Sequence, residues 1–161
     1  MRRIIYAGLG AVAAFACYSL LLHVSFPLTQ LVNIFSLAVV FFAVREGEIF
    51  GAIYGMTCGL IFDAFSSGVF GVAGIAKTVT GYLAGAVSRR IDVTSLLRQL
   101  IFHSLLFALE LLIWIFLYSL VFGQPLTFSG GLILLQPFVT AISASALFVV
   151  INRWLTARMG R

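Results

Sequence analysis

The sequence predicts an all-α integral membrane protein, with six transmembrane helices in a single domain over residues 1–161 and both termini in the cytoplasm. Three observations carry that prediction. First, 62% of the 161 residues are hydrophobic, 9% are charged and mean hydropathy is +1.15. A soluble domain is about half apolar and about a quarter charged. So little polar surface excludes a soluble enzyme, a nucleic-acid-binding domain and a disordered chain. Second, the apolar residues fall in six continuous runs, several near the roughly 20 residues a helix needs to cross about 30 Å of hydrocarbon. They do not alternate, so they do not read as barrel strands. Third, the basic residues segregate to one side of a six-span scheme.

The first run covers about Ile4–Val24, after Arg2 and Arg3. It is longer than the apolar core of a signal peptide and reads as an uncleaved span. The second and third runs, about Leu28–Val44 and Ile49–Phe65, are joined by Arg45-Glu46-Gly47-Glu48, a charged turn suited to a helical hairpin. The fourth covers about Val69–Val87. The fifth, about Leu96–Phe122, is long enough to tilt or to extend past the bilayer. The sixth covers about Leu132–Ile151.

In this scheme Arg2, Arg3, Arg45, Arg89, Arg90, Arg98, Arg153, Arg158 and Arg161 all lie on one face of the membrane, nine of the ten Lys and Arg. The opposite loops, near Ser25–Pro27, Ser66–Gly68 and Gly123–Ser129, carry none. The net charge of +5 is therefore a topology signal rather than a nucleic-acid signal. Short Arg-flanked spans without a glycosylation sequon fit a bacterial inner membrane.

Helices in lipid pack through small residues. The third span places Gly51, Gly55, Gly59 and Asp63 four apart, and the fourth places Gly71, Gly74, Lys77, Gly81 and Gly85 near one face. These two spans are expected to form one close-packed unit. Ala7, Ala11 and Ala14 form a smaller stripe on the first span. Asp63, Lys77 and Glu110 lie inside or at the edge of spans, where ionisable groups mark functional or structural sites. Asp63 reads as a capping or turn residue before Ser66-Ser67-Gly68. Lys77 and Glu110 lie at depths that a Lys stem bridges, so an ion pair is expected. Gln99, His103 and Glu110 share one face of the fifth span, and Gln136, Thr140 and Ser143 share one face of the sixth. The first reads as a polar seam packed against other helices, with a proton relay as the alternative, and the second as interhelical hydrogen bonding.

No sequence motif supports catalysis. Neither His23 nor His103 accompanies a nucleophile elbow, and no Walker motif or dinucleotide fingerprint is present. Cys17 and Cys58 match no metal spacing or disulfide framework and read as small core residues. No cofactor is expected.

The stretch from Gly51 through Gly55, Gly59, Asp63, Gly68, Gly71 and Gly74 to Gly81 and Gly85 resembles the rod shape-determining protein MreD family. That family shows a Gly-rich helix ending in Gly-Leu-x-x-Asp, a short loop, then Gly and small residues opening the next helix. Gly59-Leu-Ile-Phe-Asp63 and Gly68-x-x-Gly71 fit this pattern. The specific part covers about residues 45–90. The chain departs from the pattern at Pro27-Leu-Thr-Gln30, where Pro-Asp is often found, and at Lys77, where an aliphatic residue is expected. The resemblance implies a bundle like the substrate-binding S components of energy-coupling-factor transporters. It also implies a non-enzymatic inner-membrane scaffold of the rod complex, or elongasome, that supports lateral peptidoglycan synthesis. Implied partners are the transmembrane helix of MreC, the RodA glycosyltransferase with its class B penicillin-binding protein, the MreB filament and membrane lipid. The alternative is an S component for a vitamin or other small solute. It would use Asp63, Ser66, Ser67 and Gln136 as ligand contacts and Ala7, Ala11 and Ala14 as a coupling face.

Overall fold

The computed structural model describes residues 2–24, 29, 31–65, 69–90, 95–123 and 132–159, with side chains described over 8–23, 29, 31–65, 69–90, 95–123 and 133–151. The described residues form six α-helices and no strand: α1 (Arg2–Val24), α2 (Ile34–Glu46), α3 (Glu48–Phe65), α4 (Val72–Ser88), α5 (Leu96–Phe122) and α6 (Leu132–Met159). Three stretches, Glu48–Phe65, Leu96–Phe122 and Ile133–Ile151, are long and apolar enough to cross a membrane.

Helix α2 departs most from expectation. It starts at Ile34 rather than near Leu28: Thr29 and Leu31 are helical too, but the helix is interrupted at residues 32–33, where Asn33 caps α2 and its Oδ1 accepts the Ser36 N–H at 3.2 Å. Apolarity alone does not reveal such a cap. The remaining 13 residues span only roughly 20 Å. At its other end α2 runs through Arg45 and Glu46, so Gly47 alone separates it from α3. Gly47 has φ +103°, which a side chain would oppose, and the Arg89 guanidinium lies where a Cβ would sit. Helix α4 likewise starts at Val72, after Gly71 at φ +100°.

The most extensive helix pairing is α3 against α4, and glycine allows it. A Cβ on Gly51 would overlap the Gly81 carbonyl, one on Gly55 the Lys77 carbonyl, and one on Gly59 the backbone of Ala73 and Gly74. At the far end, a Cβ on Gly85 would strike the Gly47–Glu48 peptide. Each step of four along α3 meets a step of about four back along α4, so the two stripes form one antiparallel backbone contact. Gly74 is less crowded, with the Leu60 side chain nearest its Cβ position at 3.2 Å and the Leu60 backbone nitrogen at 3.8 Å.

Helix α2 joins two apolar clusters. Phe35 and Val39 pack with Ala14 of α1 and with Tyr54 and Cys58 of α3. Val40 and Ala43 pack with Ala84, Leu106, Phe107, Ala141 and Ala144 of α4, α5 and α6. Cys58 is buried as expected, but Cys17 is exposed on α1. Only one face of α1 meets the bundle, and Cys17 lies off it.

The glycine contact yields a graded prediction. Gly55→Ala places a methyl against a backbone carbonyl that has no rotamer to move, so it should cost about 1–3 kcal/mol. Gly8→Ala meets nothing within 4 Å and should stay within about 0.5 kcal/mol of wild type. Thermal unfolding of the purified protein in detergent measures both, and equal stabilities would refute the close-contact account.

Candidate functional site

The site is built around Lys77, which α4 carries inward because its glycine-lined face is pressed on α3. Lys77 is 1% exposed. A buried ammonium needs acceptors for all three N–H bonds, and α2 and α5 supply them. Nζ donates to Glu110 Oε1 at 2.6 Å, to Ser36 Oγ at 2.5 Å and to Asn33 Oδ1 at 3.2 Å. Ser36 Oγ donates in turn to Glu110 Oε1 at 2.5 Å. The ammonium also lies 5.4 Å from the centre of the Phe62 ring. Lys77 and Glu110 thus form the ion pair that their depths lead one to expect, with Glu110 itself 6% exposed. Glu110 Oε2 is buried and has no hydrogen-bond partner among the described residues.

Asn33, Ser36 and Glu110 line one end of a cavity of about 420 Å³. Tyr18, Phe62, Phe65, Phe107 and Trp114 give it a largely aromatic wall, and Gln136 and Thr140 of α6 complete the polar side. Thr140 Oγ accepts the Asn33 N–H at 3.1 Å, which ties α6 to the start of α2. Pro137 lies inside α6 and also lines the cavity. Having no N–H, it leaves the Ile133 carbonyl, on another lining residue, without its helical donor.

Asp63 lies outside this lining. Its carboxylate accepts the N–H groups of Gly71, Ala73 and Gly74 at 2.9, 3.2 and 3.1 Å. It therefore caps α4 from the end of α3, negative charge against the positive helix end. This is the capping role its turn chemistry suggests, exerted across the connection, and it leaves Asp63 committed rather than available as a ligand contact. Ser66, Ser67 and Gly68 lie outside the described residues.

The seam on α5 is buried as expected but divides. Gln99 is 3% exposed. His103 Nδ1 lies 3.0 Å from Ser145 Oγ on α6, whereas Glu110 turns to α2 and α4. Among the described residues no hydrogen bond joins His103 to Glu110, so the seam is not a continuous relay. On α6, Thr140 faces inward while Ser143 Oγ donates to its own helix at Val139. Ser145, absent from the predicted stripe, is the one that meets α5. Ala11 and Ala14 pack into the α1–α2–α3 cluster, so they do not form a free coupling face. Ala7 lies outside the described side chains.

The described arginines gather where α2, α4 and α5 meet their short connections. Arg45 is exposed over the Phe41 ring at 4.8 Å. Arg89 donates to the Glu46 carbonyl at 3.4 Å and pairs with Glu48 at 3.6 Å. Arg90 and Arg98 are exposed. The side chains of Arg2, Arg3, Arg153, Arg158 and Arg161 lie outside the described residues. Asn33 and Ser36 are the site residues that sequence reasoning missed. Their signal was a pair of polar residues, three apart, at the head of an apolar run.

No protein-family model, curated protein or solved structure matches the chain.

A double-mutant cycle tests the Lys77 cluster. Glu110→Ala strands a buried ammonium and should destabilise by about 3–5 kcal/mol. Adding Lys77→Met removes the stranded charge and should recover most of that loss. Strictly additive effects, measured by unfolding in detergent, would show that the two groups do not act as a pair.

Proposed function

We propose that the chain is a non-enzymatic scaffold of the bacterial rod complex, related to the MreD family, in the inner membrane. It supports lateral peptidoglycan synthesis by binding MreC, together with RodA, its class B penicillin-binding partner and the MreB filament. The observation that carries the proposal is the α3–α4 hairpin. Apart from Gly68, which lies outside the described residues, the residues that resemble the MreD family are Gly51, Gly55, Gly59, Asp63, Gly71, Gly74, Gly81 and Gly85. They are the residues on which that hairpin depends, through backbone contact and the Asp63 cap. In this reading all six helices enter the bilayer and both termini face the cytoplasm. Exposed apolar residues of α5, such as Leu105, Leu112 and Phe116, meet lipid or the MreC helix.

A second reading, an S component for a small solute, draws support from the cavity. Gln136 remains available for it, but Asp63 caps a helix and the Ala11–Ala14 stripe is packed inside the bundle. The scaffold reading therefore accounts for more of the residues.

Deletion in the rod-shaped host should round the cells, and tagged protein should co-purify with MreC. Thiol labelling should reach Ser66→Cys from outside the cell and Arg45→Cys only after permeabilisation. Normal rods after a clean deletion would overturn the scaffold reading. A vitamin retained in stoichiometric amount, with no MreC, would replace it with the second.

A further inference from the structure

We propose that the cavity binds an uncharged molecule with an aromatic or apolar body and a carboxamide-like head, one that accepts and donates hydrogen bonds at once. The volume, about 420 Å³, lies within the range of small-molecule sites, roughly 300–1,000 Å³. The lining draws on the later turns of α1 and α3 and the earlier turns of α2, α4 and α6, while Arg45, Arg89, Arg90 and Arg98 stand at the opposite helix ends. In the proposed orientation the cavity therefore lies toward the outer side. The wall of Tyr18, Phe62, Phe65, Phe107 and Trp114 suits an apolar or aromatic body.

The head follows from what the lining presents. The charges beside the cavity are closed off from it. Lys77 is 1% exposed and is not part of the lining, and its three N–H groups are engaged by Asn33, Ser36 and Glu110. Glu110 gives Oε1 to Lys77 and Ser36, and its Oε2 is buried. A charged head of either sign gives up its hydration and touches no opposite charge.

What the lining does offer is uncharged. Asn33 spends Oδ1 on Lys77 and the Ser36 N–H, which leaves its amide N–H bonds. The Gln136 amide, the Trp114 indole N–H and the Tyr18 hydroxyl line the cavity and make no hydrogen bond among the described residues. Pro137 leaves the Ile133 carbonyl without its helical donor. Donors and acceptors thus stand together: N–H and O–H groups of Asn33, Gln136, Trp114 and Tyr18, and carbonyls of Gln136 and Ile133. A carboxylate only accepts and an ammonium only donates, so each leaves one set unmet, whereas a carboxamide answers both.

The inference rests on the cavity and not on the scaffold reading. Its failure would leave cell rounding and MreC co-purification as expected.

The test uses the full-length protein in nanodiscs of zwitterionic lipid, with Trp154→Phe leaving Trp114 as the single tryptophan. Phenylbutyramide, phenylbutyrate, phenylbutylamine and butylbenzene share one body and differ in the head, and each is titrated against its measured free concentration. Trp114 fluorescence should respond saturably to the amide, with affinity at least roughly tenfold above that for the other three probes. Gln136→Leu removes a side chain that both donates and accepts and leaves the Lys77 cluster alone. It should weaken the amide about tenfold without changing butylbenzene. Leu111→Phe with Ile133→Phe narrows the cavity and should abolish saturation. Thermal unfolding checks that both variants fold, and the four probes on the otherwise unaltered protein decide the matter if either does not. A carboxylate as tight as the amide would overturn the proposal. So would an equally tight ammonium, which would show that ring faces rather than amides hold the head. Equal affinity for butylbenzene, a linear response to the amide, or unchanged amide affinity in either folded variant would overturn it as well.

Discussion

A buried lysine ammonium is tolerated only where all three of its donors are received, and this requirement organises the centre of the bundle. The acceptors for Lys77 come from two helices that are far apart in sequence: Asn33 and Ser36 of α2, and Glu110 of α5. Meeting it sets the depth at which α2 begins and the register of α5 against α4. An apolar cluster tolerates sliding by a turn at modest cost, because one methyl group replaces another. A charge with three directed bonds does not. The polar cluster therefore contributes specificity of arrangement more than net stability, in keeping with how buried ion pairs behave.

Lys77 also links this cluster to the other dominant contact. Its backbone carbonyl is pressed against Gly55, while its side chain reaches α2 and α5. The glycine stack thus fixes where the lysine stands, and the lysine fixes what gathers around it. Asp63 closes the same unit at its other end by receiving three N–H groups at the start of α4. Those groups have no partner within the helix, and a low-dielectric surrounding makes leaving them open expensive. Two carboxylates consequently serve the hairpin in different ways. Asp63 satisfies backbone donors, and Glu110 satisfies two side-chain donors through Oε1, while its Oε2 is buried without a partner among the described residues.

Much of this was legible from the residues. Apolar runs placed six helices, the spacing of Gly51, Gly55 and Gly59 placed the close face of α3, and a depth difference that a Lys stem bridges brought Lys77 and Glu110 together. What was not legible has physical causes. Residues 28–33 are apolar enough to extend a hydropathy run, but Asn33 competes for the first N–H groups of α2 and starts the helix late. The division of the α5 seam depends on which neighbour each residue meets. Helical periodicity places His103 and Glu110 on one face but says nothing of Ser145 on one side and Ser36 on the other. The cavity left no sequence signal, because its lining is gathered from all six helices and from Thr29, which no single stretch of sequence groups together.

The start of α2 explains why the polar cluster and the cavity adjoin. A helix of 13 residues, roughly 20 Å long, is shorter than the roughly 30 Å of hydrocarbon that the proposed membrane setting presents. The cavity lies beside its first turn, lined by Asn33 and Ser36 together with Thr29 and residues of α1, α3, α4, α5 and α6. A helix that starts inside a bundle must satisfy its opening N–H groups locally, which accounts for Asn33, Thr140 and Ser36 at that level. Polar groups collected for that purpose also create the one setting in which a buried lysine and glutamate are tolerable. The first turn of α2 thus supplies, from the same residues, its own cap, two acceptors of Lys77 and part of the cavity lining: Asn33 and Ser36 serve all three.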